Sequence, residues 1–569
     1  MATPSDVAPE GAVSPIDTDY EVGQDNIQPS LGPLSLDIHN PVFGISGVAI
    51  VAFVVLTLMF QDSVGPLFND LRVWLTGTFD WFFLTAANIF VLLCLALIVT
   101  PLGKVRLGGV GATPDYTYTG WFAMLFAAGM GIGLMFYGVS EPISHYTSSV
   151  GGVATEGGAR TDWAPLGAAA EDPEAARRLG MAATIFHWGL HPWAIYAVVA
   201  LALALFTYNK GLPLTIRSIF YPIFGERVWG WTGHVIDTLA VFATLFGLAT
   251  SLGFGAEQAS AGLTFLFGTG DAEAGTRTFL SLPYGNAPES GVANSNTILI
   301  VLILAITAVA LLSVLAGLDA GVKRLSEINM GLAALLLLFV VVVGPTVAIV
   351  TGFFANLWAY VENLPALSNP IGRDDDNFRQ GWTSFYWAWW ISWSPFVGMF
   401  IARVSRGRTV REFIVAVLLV PSLVSVLWMT AFGGTAISQI VDDGYREIAD
   451  AALELKLFVM LSELPLTAIT SFVGIMLVIV FFVTSSDSGS LVIDTITAGG
   501  KVDAPVGQRV FWCVFEGLVA IALLLGGGLG ALQAMAVSTG FPFAVVLLLA
   551  CYAIVKGLMD EPRGAPAHR

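Results

Sequence analysis

The sequence contains few charged residues. Asp, Glu, Lys and Arg make up 12% of the 569 residues, whereas 56% of the residues are hydrophobic. A soluble domain keeps its surface hydrated with about a quarter of charged residues, so the composition excludes a soluble globular protein. Most of the surface must instead face a lipid bilayer.

Cysteine is scarce, and basic residues are absent from the start of the chain. Cys94, Cys513 and Cys551 all lie in apolar runs, so neither a disulfide framework nor a thiolate metal site is expected. The net charge of −17 argues against a nucleic-acid partner, because phosphate binding needs clustered Lys and Arg. Residues 1–40 contain no Lys or Arg and no apolar core, so they do not resemble a cleaved signal peptide.

Long hydrophobic runs dominate the rest of the chain. A helix needs roughly 20 apolar residues to cross a bilayer, and twelve runs meet this condition, which predicts an all-α integral membrane protein with twelve transmembrane helices. In the fifth run, Gly247, Gly253 and Gly255 predict a break or a strong tilt. The runs are approximately 41–60, 79–101, 119–138, 182–206, 235–267, 296–317, 329–354, 382–402, 412–438, 466–486, 508–527 and 532–556.

The positions of the basic residues predict the orientation. Sixteen of the 25 Lys and Arg fall in the loops after even-numbered spans or in the C-terminal tail. Because cytoplasmic loops carry the excess of Lys and Arg, both termini are predicted to be cytoplasmic, in a multi-pass protein of the inner (plasma) membrane. Residues 1–40 carry seven acidic residues, and their composition is typical of a disordered tail. A contact between this tail and the basic loops is the alternative.

Three alternating glycines in the third span form the first candidate site. Gly129, Gly131 and Gly133 lie in the stretch AAGMGIG at 127–133. Close helix packing through small residues is one interpretation, but each glycine costs about 1 kcal/mol of helix stability relative to alanine. An unwound stretch is favoured, because its freed carbonyls can face an ion and its amides an anionic group.

Aromatic residues are concentrated in the eighth span. Five of the sixteen tryptophans fall within residues 382–393, and helical spacing places Tyr386, Trp389, Trp390 and Trp393 along one side of the helix. A quaternary ammonium group cannot donate a hydrogen bond and is held by aromatic ring faces, each worth about 0.5 to 2 kcal/mol. The cluster therefore indicates a site for such a cation.

The fourth span contains a second aromatic group. Trp188, Trp193 and Tyr196 add rings of the same chemistry as those of the eighth span. His187 and His191 lie four residues apart, a spacing that can bind a metal, but no third ligand has a matching spacing. We therefore do not expect a metal site at these histidines.

Polar residues close the tenth span in the stretch TSSDSGS at 484–490. Hydroxyl groups in spanning helices usually bond to the carbonyl four residues earlier. The adjacent Thr484 and Ser485 nevertheless supply hard oxygen ligands that suit Na⁺, and carbonyls of the unwound third span could complete the shell. Asp487 is interpreted as a tie between the helix end and the basic loops.

These motifs resemble those of the betaine/choline/carnitine transporter (BCCT) family, most closely its sodium-coupled glycine betaine transporters. The similarity covers roughly residues 41–556. It rests on the stretches GMGIGLMFYGVSEP, FHWGLHPWAIYAVVALALALFTYNKGLPLTIRS, FATLFGLATSLGFG, WTSFYWAWWISWSPFVGMFIARVSRGRTVREF and FFVTSSDSGS.

The resemblance implies a LeuT-like core of two inverted five-helix repeats, usually in a homotrimer. Two extra helices precede the core, and a connecting segment that could form an amphipathic helix joins the repeats. The expected segments are a disordered acidic tail 1–40, two peripheral helices 41–118, the first repeat 119–354, the connecting segment 355–381, the second repeat 382–556 and a short tail 557–569.

The resemblance also implies site residues. The aromatic cage would be Trp188, Trp193, Tyr196, Trp389, Trp390 and Trp393, and the substrate carboxylate would lie near Gly129, Gly131 and Gly133. One sodium site would use carbonyls of Ala127, Met130 and Phe481 with the hydroxyls of Thr484 and Ser485. A second would use Thr244 and Phe396, but Leu248 stands where another hydroxyl is expected, so a stoichiometry of two Na⁺ is in doubt.

The same resemblance predicts the substrate and the driving ion. Proton-coupled choline transporters tend to carry Asp where this chain has Gly133, which favours a zwitterion such as glycine betaine. Thr484 and Ser485 are present, which favours sodium symport for compatible-solute uptake. Choline, carnitine, ectoine or dimethylsulfoniopropionate as substrate, and proton coupling or exchange, stay open. No cofactor is expected besides Na⁺ as the coupling ion.

Two other classes of membrane protein fit the sequence less well. A channel needs a continuous polar face, whereas the polarity here is concentrated at a few points. An enzyme needs a nucleophile or an acid/base set. The ionisable residues are interpreted as scattered, without triad or metal spacing: Glu141, His145, His187, His191, Asp237, Glu257 and Glu516. A transporter is therefore expected.

Overall fold

A computed structural model describes residues 9–31, 34–129, 131–167, 169–268, 296–316 and 322–563, and these residues are mostly helical. Met130, predicted as a sodium ligand, lies outside the described residues, as do residues 1–8 and 564–569 of the two predicted tails.

The described residues of the first half of the chain form three short two-stranded sheets and eleven α-helices. Pairing is antiparallel between β1 and β4, β2 and β3, and β5 and β6. The strands are β1 (Asn26–Ile27), β2 (Ser30–Leu31), β3 (Leu34–Ser35), β4 (Ile38–His39), β5 (Thr155–Glu156) and β6 (Ala159–Arg160). The helices are α1 (Val42–Met59), α2 (Gln61–Val99), α3 (Tyr118–Gly129), α4 (Ile132–Gly151), α5 (Pro173–Trp188), α6 (Leu190–Ala204), α7 (Tyr221–Phe224), α8 (Trp231–Phe267), α9 (Asn296–Ala316), α10 (Val322–Val343) and α11 (Thr346–Leu367).

The second half of the chain is helical. Its helices are α12 (Asp376–Phe378), α13 (Ser384–Val404), α14 (Val410–Val441), α15 (Glu447–Asp450), α16 (Lys456–Ser462), α17 (Thr467–Thr497) and α18 (Val506–Met559). Short 3₁₀ segments are Pro101–Lys104, Arg217–Phe220 and Gly225–Trp229, and π-helical turns are Leu205–Asn209 and Arg379–Thr383.

Local sequence signals set two of the helix starts. Asp172 accepts hydrogen bonds from the backbone N–H groups of Glu174 and Ala175 and so caps α5, as expected of an N-cap aspartate before a proline. Thr409 and Glu412 form a reciprocal capping box at the start of α14. Both caps satisfy backbone donors that a helix leaves unpaired at its first turn.

Length and apolar composition mark ten helices of the described residues as able to cross a membrane, or eleven if the bent pair α3 and α4 counts as one span. The predicted eleventh and twelfth runs are merged in α18, which departs from helical geometry at Gly527 and Gly528. Gly528 has φ 61°, a conformation that favours glycine. Helix α13 falls outside the ten, since its tryptophans, serines and proline lower its hydropathy.

Two expected span boundaries differ in the structure. The seventh run was expected at 329–354, but the chain breaks at Gly344 and Pro345 between α10 and α11, because proline lacks a backbone N–H for helix continuation. The helix after this break therefore begins at Thr346, within the run predicted to span. A break or a strong tilt was expected in the fifth run, and the break is wrong, because α8 continues from Trp231 to Phe267. The strong tilt stays a prediction.

Some helices lie at the centre of the bundle and others at its edge. The most apolar window of Pro173–Asn209 is 94% buried, whereas the corresponding windows of α10 and α11 are each 22% buried. Exposed apolar side chains on the outer helices suit contact with lipid. Helices α5 and α6 therefore lie in the core, where the candidate site is found.

The N-terminal segment packs on the loops instead of extending freely. Tyr20 stacks on Trp229 with ring centroids 4.2 Å apart, and its hydroxyl accepts a hydrogen bond from Arg217 at 2.7 Å. Asp37 forms an ion pair with Lys501 at 2.6 Å. Composition predicts disorder for this segment, but basic and aromatic partners on other loops hold its described residues in place.

The two chain ends lie on the same face of the bundle. Ser14 Oγ donates a hydrogen bond to the carbonyl oxygen of Asp560 at 2.6 Å. Lys210 forms an ion pair with Glu561 at 2.8 Å. Residues near both termini thus share one surface with a loop predicted to be cytoplasmic.

The loop between α4 and α5 is held by buried charges. Arg160 contacts Asp162 at 2.6 Å and Asp374, before α13, at 3.0 Å. Hydrogen bonds from Arg160 lower the pKa of Asp162 to about 2. The ion pair therefore ties this loop to the segment that leads into α13.

We expect the Asp162→Asn variant to unfold at a lower temperature than the parent protein at pH 7. Because the folded-state pKa of Asp162 lies below its ordinary value of 3.8, the charged form stabilises the fold above about pH 4. The difference should shrink as the pH falls from about 4 towards 2. Thermal unfolding in detergent measures it, with Asp443→Asn, at an exposed acid in another loop, as the control, and equal stability at pH 7 would contradict this role.

Candidate functional site

The third predicted span is broken at the alternating glycines. The helical segments Tyr118–Ala128 and Ile132–Gly151 meet at an angle of 64°. Gly131 between them has extended backbone angles, and no side chain caps the start of α4. The first amides and the last carbonyls of a helix have no intrahelical partner, so those at the start of α4 and at the end of α3 are candidates to contact a ligand.

A cavity of about 470 Å³ opens beside this break, a size typical of small-molecule sites. It brings together most of the site residues predicted from the sequence. Those that line it are Ala127, Gly131, Gly133, Trp188, Trp193, Tyr196, Trp389, Trp390, Trp393, Phe396, Phe481, Thr484 and Ser485.

One predicted residue, Thr244, is not among the residues that line the cavity. Gly129 is the last residue of α3. Thr244 is buried in α8, where its hydroxyl donates to the carbonyl oxygen of Ala240 at 2.7 Å. Phe396 does line the cavity, so the structure does not bring the two members of the second sodium site together there.

The aromatic residues surround the cavity at different angles. The rings of Trp389 and Trp390 stack with centroids 4.9 Å apart. Trp188 stands edge-on to Trp390 at 4.9 Å, and Tyr196 stands edge-on to it at 6.0 Å. Trp390 is thus the ring that joins the aromatic groups of α5, α6 and α13. Rings at these angles present faces to more than one side of a bound group.

The indole N–H groups of three cage tryptophans are already used. Trp188 Nε1 donates to Glu141 Oε2 at 2.7 Å, and Trp390 Nε1 donates to the carbonyl oxygen of His187 at 2.9 Å. Trp389 Nε1 donates to the carbonyl oxygen of Gly247 at 3.3 Å. These tryptophans therefore offer ring faces, and a cation without N–H groups is the ligand that such faces hold.

Glu141 is a functional candidate that the sequence analysis missed. It is completely buried, and its Oε1 lies 2.6 Å from His187 Nδ1 and 3.1 Å from His145 Nε2. Its Oε2 accepts hydrogen bonds from Trp188 and from the hydroxyl of Tyr386, the latter at 2.6 Å. The interpretation of these residues as scattered is wrong for Glu141, His145 and His187, whose ligand atoms lie within 4.8 Å of one another.

The network explains how two cage helices are held. Glu141 lies on α4, Trp188 on α5 and Tyr386 on α13, so one carboxylate connects three helices around the cavity. Because a buried carboxylate is costly unless its oxygens are hydrogen-bonded, four partners make this charge tolerable. Glu141 lies three residues beyond the predicted third span at 119–138, so the rule for acidic residues inside spans did not point to it.

The hydroxyl residues of α17 lie at another side of the cavity. Thr484 Oγ1 donates to the carbonyl oxygens of Val480 and Phe481 at 3.0 and 3.2 Å, which is the usual bond of a helical threonine to its own backbone. Its oxygen keeps lone pairs for a cation. Ser485 lines the cavity next to it.

The cavity also contains polar residues that the sequence analysis did not select. Ser251, Ser326, Asn329 and Arg403 line it. Among the described residues, three side-chain atoms at these positions have no hydrogen-bond partner: Oδ1 and Nδ2 of Asn329 and Nη2 of Arg403. These groups come from α8, α10 and α13, which are separated in the sequence, so no local spacing predicts that they meet.

We expect the Gly133→Ala variant to bind substrate at least about tenfold more weakly than the parent. A Cβ atom at Gly133 would lie 2.7 Å from Trp188 and 3.1 Å from Trp389, so the packed rings must move. The matched control is Gly131→Ala, since a Cβ there meets nothing within 4 Å. Equilibrium binding to the purified proteins measures both, and equal affinity of the two variants would contradict a steric role for Gly133.

A cavity with an aromatic cage and a broken helix, inside a bundle of apolar helices, defines a multi-pass membrane protein that binds a small solute. A model of the BCCT family, described as betaine/carnitine/choline family transporters, matches residues 41–563. The chain belongs to this family, and it is therefore a membrane transporter and not an enzyme.

Relatives of the chain include named transporters. It is 66% identical over 555 residues to a glycine betaine/proline/choline transporter of Vibrio parahaemolyticus, with 98% of this chain and 96% of the relative covered. It is 54% identical to glycine betaine transporter 1 of the same species, covering 96% and 97%. A glycine betaine transporter of Bacillus subtilis is 41% identical, covering 91% and 94%.

Proposed function

We propose that the protein imports glycine betaine by sodium symport through alternating access, for uptake of a compatible solute. The observation that carries this proposal is the aromatic cage, whose three anchored tryptophans have no free N–H group to offer. A trimethylammonium group carries positive charge and no donor, so ring faces are its natural partners. Several relatives that are named glycine betaine transporters support this choice.

The carboxylate of the substrate would lie at the broken helix. The start of α4 carries unpaired backbone N–H groups and the positive end of the helix dipole, both of which favour an anion. Gly131 and Gly133 line the cavity beside this helix start. A zwitterion with one cationic and one anionic end would then reach from the cage to the helix terminus.

Sodium would bind between the end of α3 and α17. Ala127, Phe481, Thr484 and Ser485 all line the same cavity, and their carbonyl and hydroxyl oxygens are hard ligands that suit Na⁺. The second predicted site has less support, because Thr244 does not line the cavity with Phe396. We therefore propose one Na⁺ at the cavity.

The proposed architecture has twelve spanning helices. It has a LeuT-like core of two inverted repeats, at 119–354 and 382–556, with both termini in the cytoplasm. The first proposed repeat opens with α3 and α4, and the second opens with α13. All three helices contribute residues to the cavity lining, which supports this division. The contact between Ser14 and Asp560 supports placing both termini on one side. The homotrimer rests on the family resemblance.

Uptake into proteoliposomes tests the function. With the purified protein reconstituted and an inward Na⁺ gradient imposed, labelled glycine betaine should accumulate above its equilibrium level. Replacing Na⁺ by K⁺ on both sides should abolish the accumulation. Uptake that is unchanged in K⁺ would contradict the sodium symport mechanism. Absence of glycine betaine uptake under every gradient would contradict the substrate assignment.

Choline and proline are second candidate substrates. The relative that is 66% identical is named a glycine betaine/proline/choline transporter. Proline is a zwitterion like glycine betaine, whereas choline lacks the carboxylate that would meet the start of α4. A competition panel of unlabelled betaine, proline, choline, carnitine, ectoine and dimethylsulfoniopropionate against labelled betaine ranks them, and we expect betaine to compete most strongly.

A further inference from the structure

The wall of the cavity continues along α13 beyond the aromatic cage. From the last cage tryptophan onwards, cavity-lining residues recur at steps of three or four, which keeps them on one face of the helix. They are Trp393, Phe396, Phe400 and Arg403. Because a helix rises about 1.5 Å per residue, the Cα atoms of Trp390 and Arg403 are about 20 Å apart along its axis. This separation is much longer than a small zwitterion, so Arg403 does not belong to the cage.

Arg403 brings a positive charge to the cavity. Among the described residues that form the lining it is the one Lys or Arg, and no Asp or Glu accompanies it. Its Nη2 atom is buried and has no hydrogen-bond partner within the described ranges, whereas the nearby Arg406 pairs with Glu10 at 2.9 Å and with Asp115 at 3.4 Å. A basic residue near the end of a spanning helix can extend to the bilayer surface, but Arg403 lines the cavity. Charged residues in spanning helices mark the paths of substrates and ions.

Helix α10 brings an unpaired amide to the same cavity. Asn329 lines the cavity and is 1% exposed. Neither Oδ1 nor Nδ2 of this side chain has a hydrogen-bond partner in the part of the chain that the structure describes. Because buried polar groups are normally hydrogen-bonded, an unpaired amide beside a cavity points to a bound group as its partner. Its Nδ2 group can donate to an anion.

Both residues lie near helix ends that are expected on the cytoplasmic side. Arg403 is in the last turn of α13, and Asn329 is about two turns after the start of α10. Lys323 and Arg406 adjoin these two helix ends and belong to the basic residues that predict the cytoplasmic side. An imported solute would therefore pass Arg403 and Asn329 after it leaves the cage.

We propose that Arg403 and Asn329 form an exit site, a second binding site of the cavity that holds the carboxylate of the transported zwitterion after it leaves the cage. An arginine binds a carboxylate through two parallel N–H groups, and the amide of Asn329 adds a donor. No acidic residue of the described lining competes for the guanidinium. The identity of the solute rests on the proposed function, whereas the anion site itself does not.

Thermal unfolding of the purified full chain in detergent tests the exit site with acetate, a carboxylate that carries no ammonium group. Sodium acetate and sodium chloride are added at matched concentrations, so that Na⁺ and the ionic strength stay equal. The variants are Arg403→Gln and Asn329→Ala, and the matched control is Arg227→Gln, at an exposed arginine. We expect the gain in unfolding temperature from acetate over chloride to be at least about 1 °C larger in the parent protein and in the control than in the two variants. General salt effects act on all four proteins alike.

Two results of this measurement would contradict the proposal. Equal gains in the parent protein and in either folded variant would overturn the site. Equal effects of acetate and chloride on the parent protein would overturn its assignment to a carboxylate.

Uptake into proteoliposomes tests whether the exit site lies on the transport path. Arg403→Gln should lower kcat for glycine betaine at least about fivefold while the equilibrium affinity in detergent stays near the parent value, because the contact forms after the solute leaves the cage. The control Arg227→Gln should keep the parent kcat, and an unchanged kcat in Arg403→Gln would overturn the role in exit. If the parent protein takes up no glycine betaine, the proposed function fails, and the acetate measurement still decides whether the site exists.

Discussion

The Trp390→Leu variant is expected to bind glycine betaine at least about tenfold more weakly than the parent protein while keeping its fold. Trp390 stacks on Trp389 and meets Trp188 and Tyr196 edge-on, so its removal disturbs contacts from three helices. One ring face contributes about 0.5 to 2 kcal/mol to binding of a cation, and 1.4 kcal/mol corresponds to a factor of ten. Leucine keeps apolar volume but has no ring.

Equilibrium binding of labelled glycine betaine to the purified variants measures this effect. The matched control is Trp358→Leu on α11, where the tryptophan is 65% exposed and is not among the residues that line the cavity. The control should bind like the parent protein. Near-normal affinity of Trp390→Leu would show that the quaternary ammonium group binds elsewhere.

The Glu141→Gln variant is expected to lose at least about tenfold in affinity and also to unfold at a lower temperature. The carboxylate accepts hydrogen bonds from Trp188 and Tyr386 and contacts His187 and His145. An amide replaces one acceptor oxygen by an NH₂ group, so at least one buried donor loses its partner, at about 1 to 3 kcal/mol. Where the NH₂ group takes the position of Oε2, Trp188 loses the contact that orients its ring.

Binding and thermal unfolding together separate the two roles of Glu141. The control is Glu362→Gln, an exposed acid that pairs with Arg178 at 2.8 Å, for which no change in affinity is expected. If Glu141→Gln lowers the unfolding temperature but leaves affinity unchanged, the network stabilises the fold without positioning the cage. Normal values of both would contradict the role assigned to this carboxylate.

Much of the cavity could be predicted from residues that are close in sequence. Helical spacing alone places Trp389, Trp390 and Trp393 on one side of α13. The glycines at 129–133 predict a broken helix, because each glycine lowers the stability of the helix. These features depend on local geometry. The structure places the three tryptophans in one cavity lining and begins a new helix at Ile132.

The network of Glu141 could not be predicted in the same way. Glu141 and His187 are separated by 46 residues, and Glu141 and Tyr386 by 245, so only packing of α4, α5 and α13 brings them together. Local spacing therefore indicated scattered residues.

Segment boundaries depended on competing local effects. Hydropathy alone runs through Gly344 and Pro345, where the backbone ends one helix and starts the next. Composition predicts that the acidic N-terminal segment is disordered, but Tyr20 and Asp37 find partners on distant loops. An average over a window cannot register a single proline or a specific contact.

The central claim is that the cage recognises the positive charge of a quaternary ammonium group and not only its shape. The most direct measurement is competition by 3,3-dimethylbutyrate, in which a neutral carbon replaces the ammonium nitrogen of glycine betaine. If ring faces hold the cation, the neutral analogue should compete at least about tenfold more weakly than unlabelled glycine betaine. Equal competition by the two compounds would contradict the cation-binding cage.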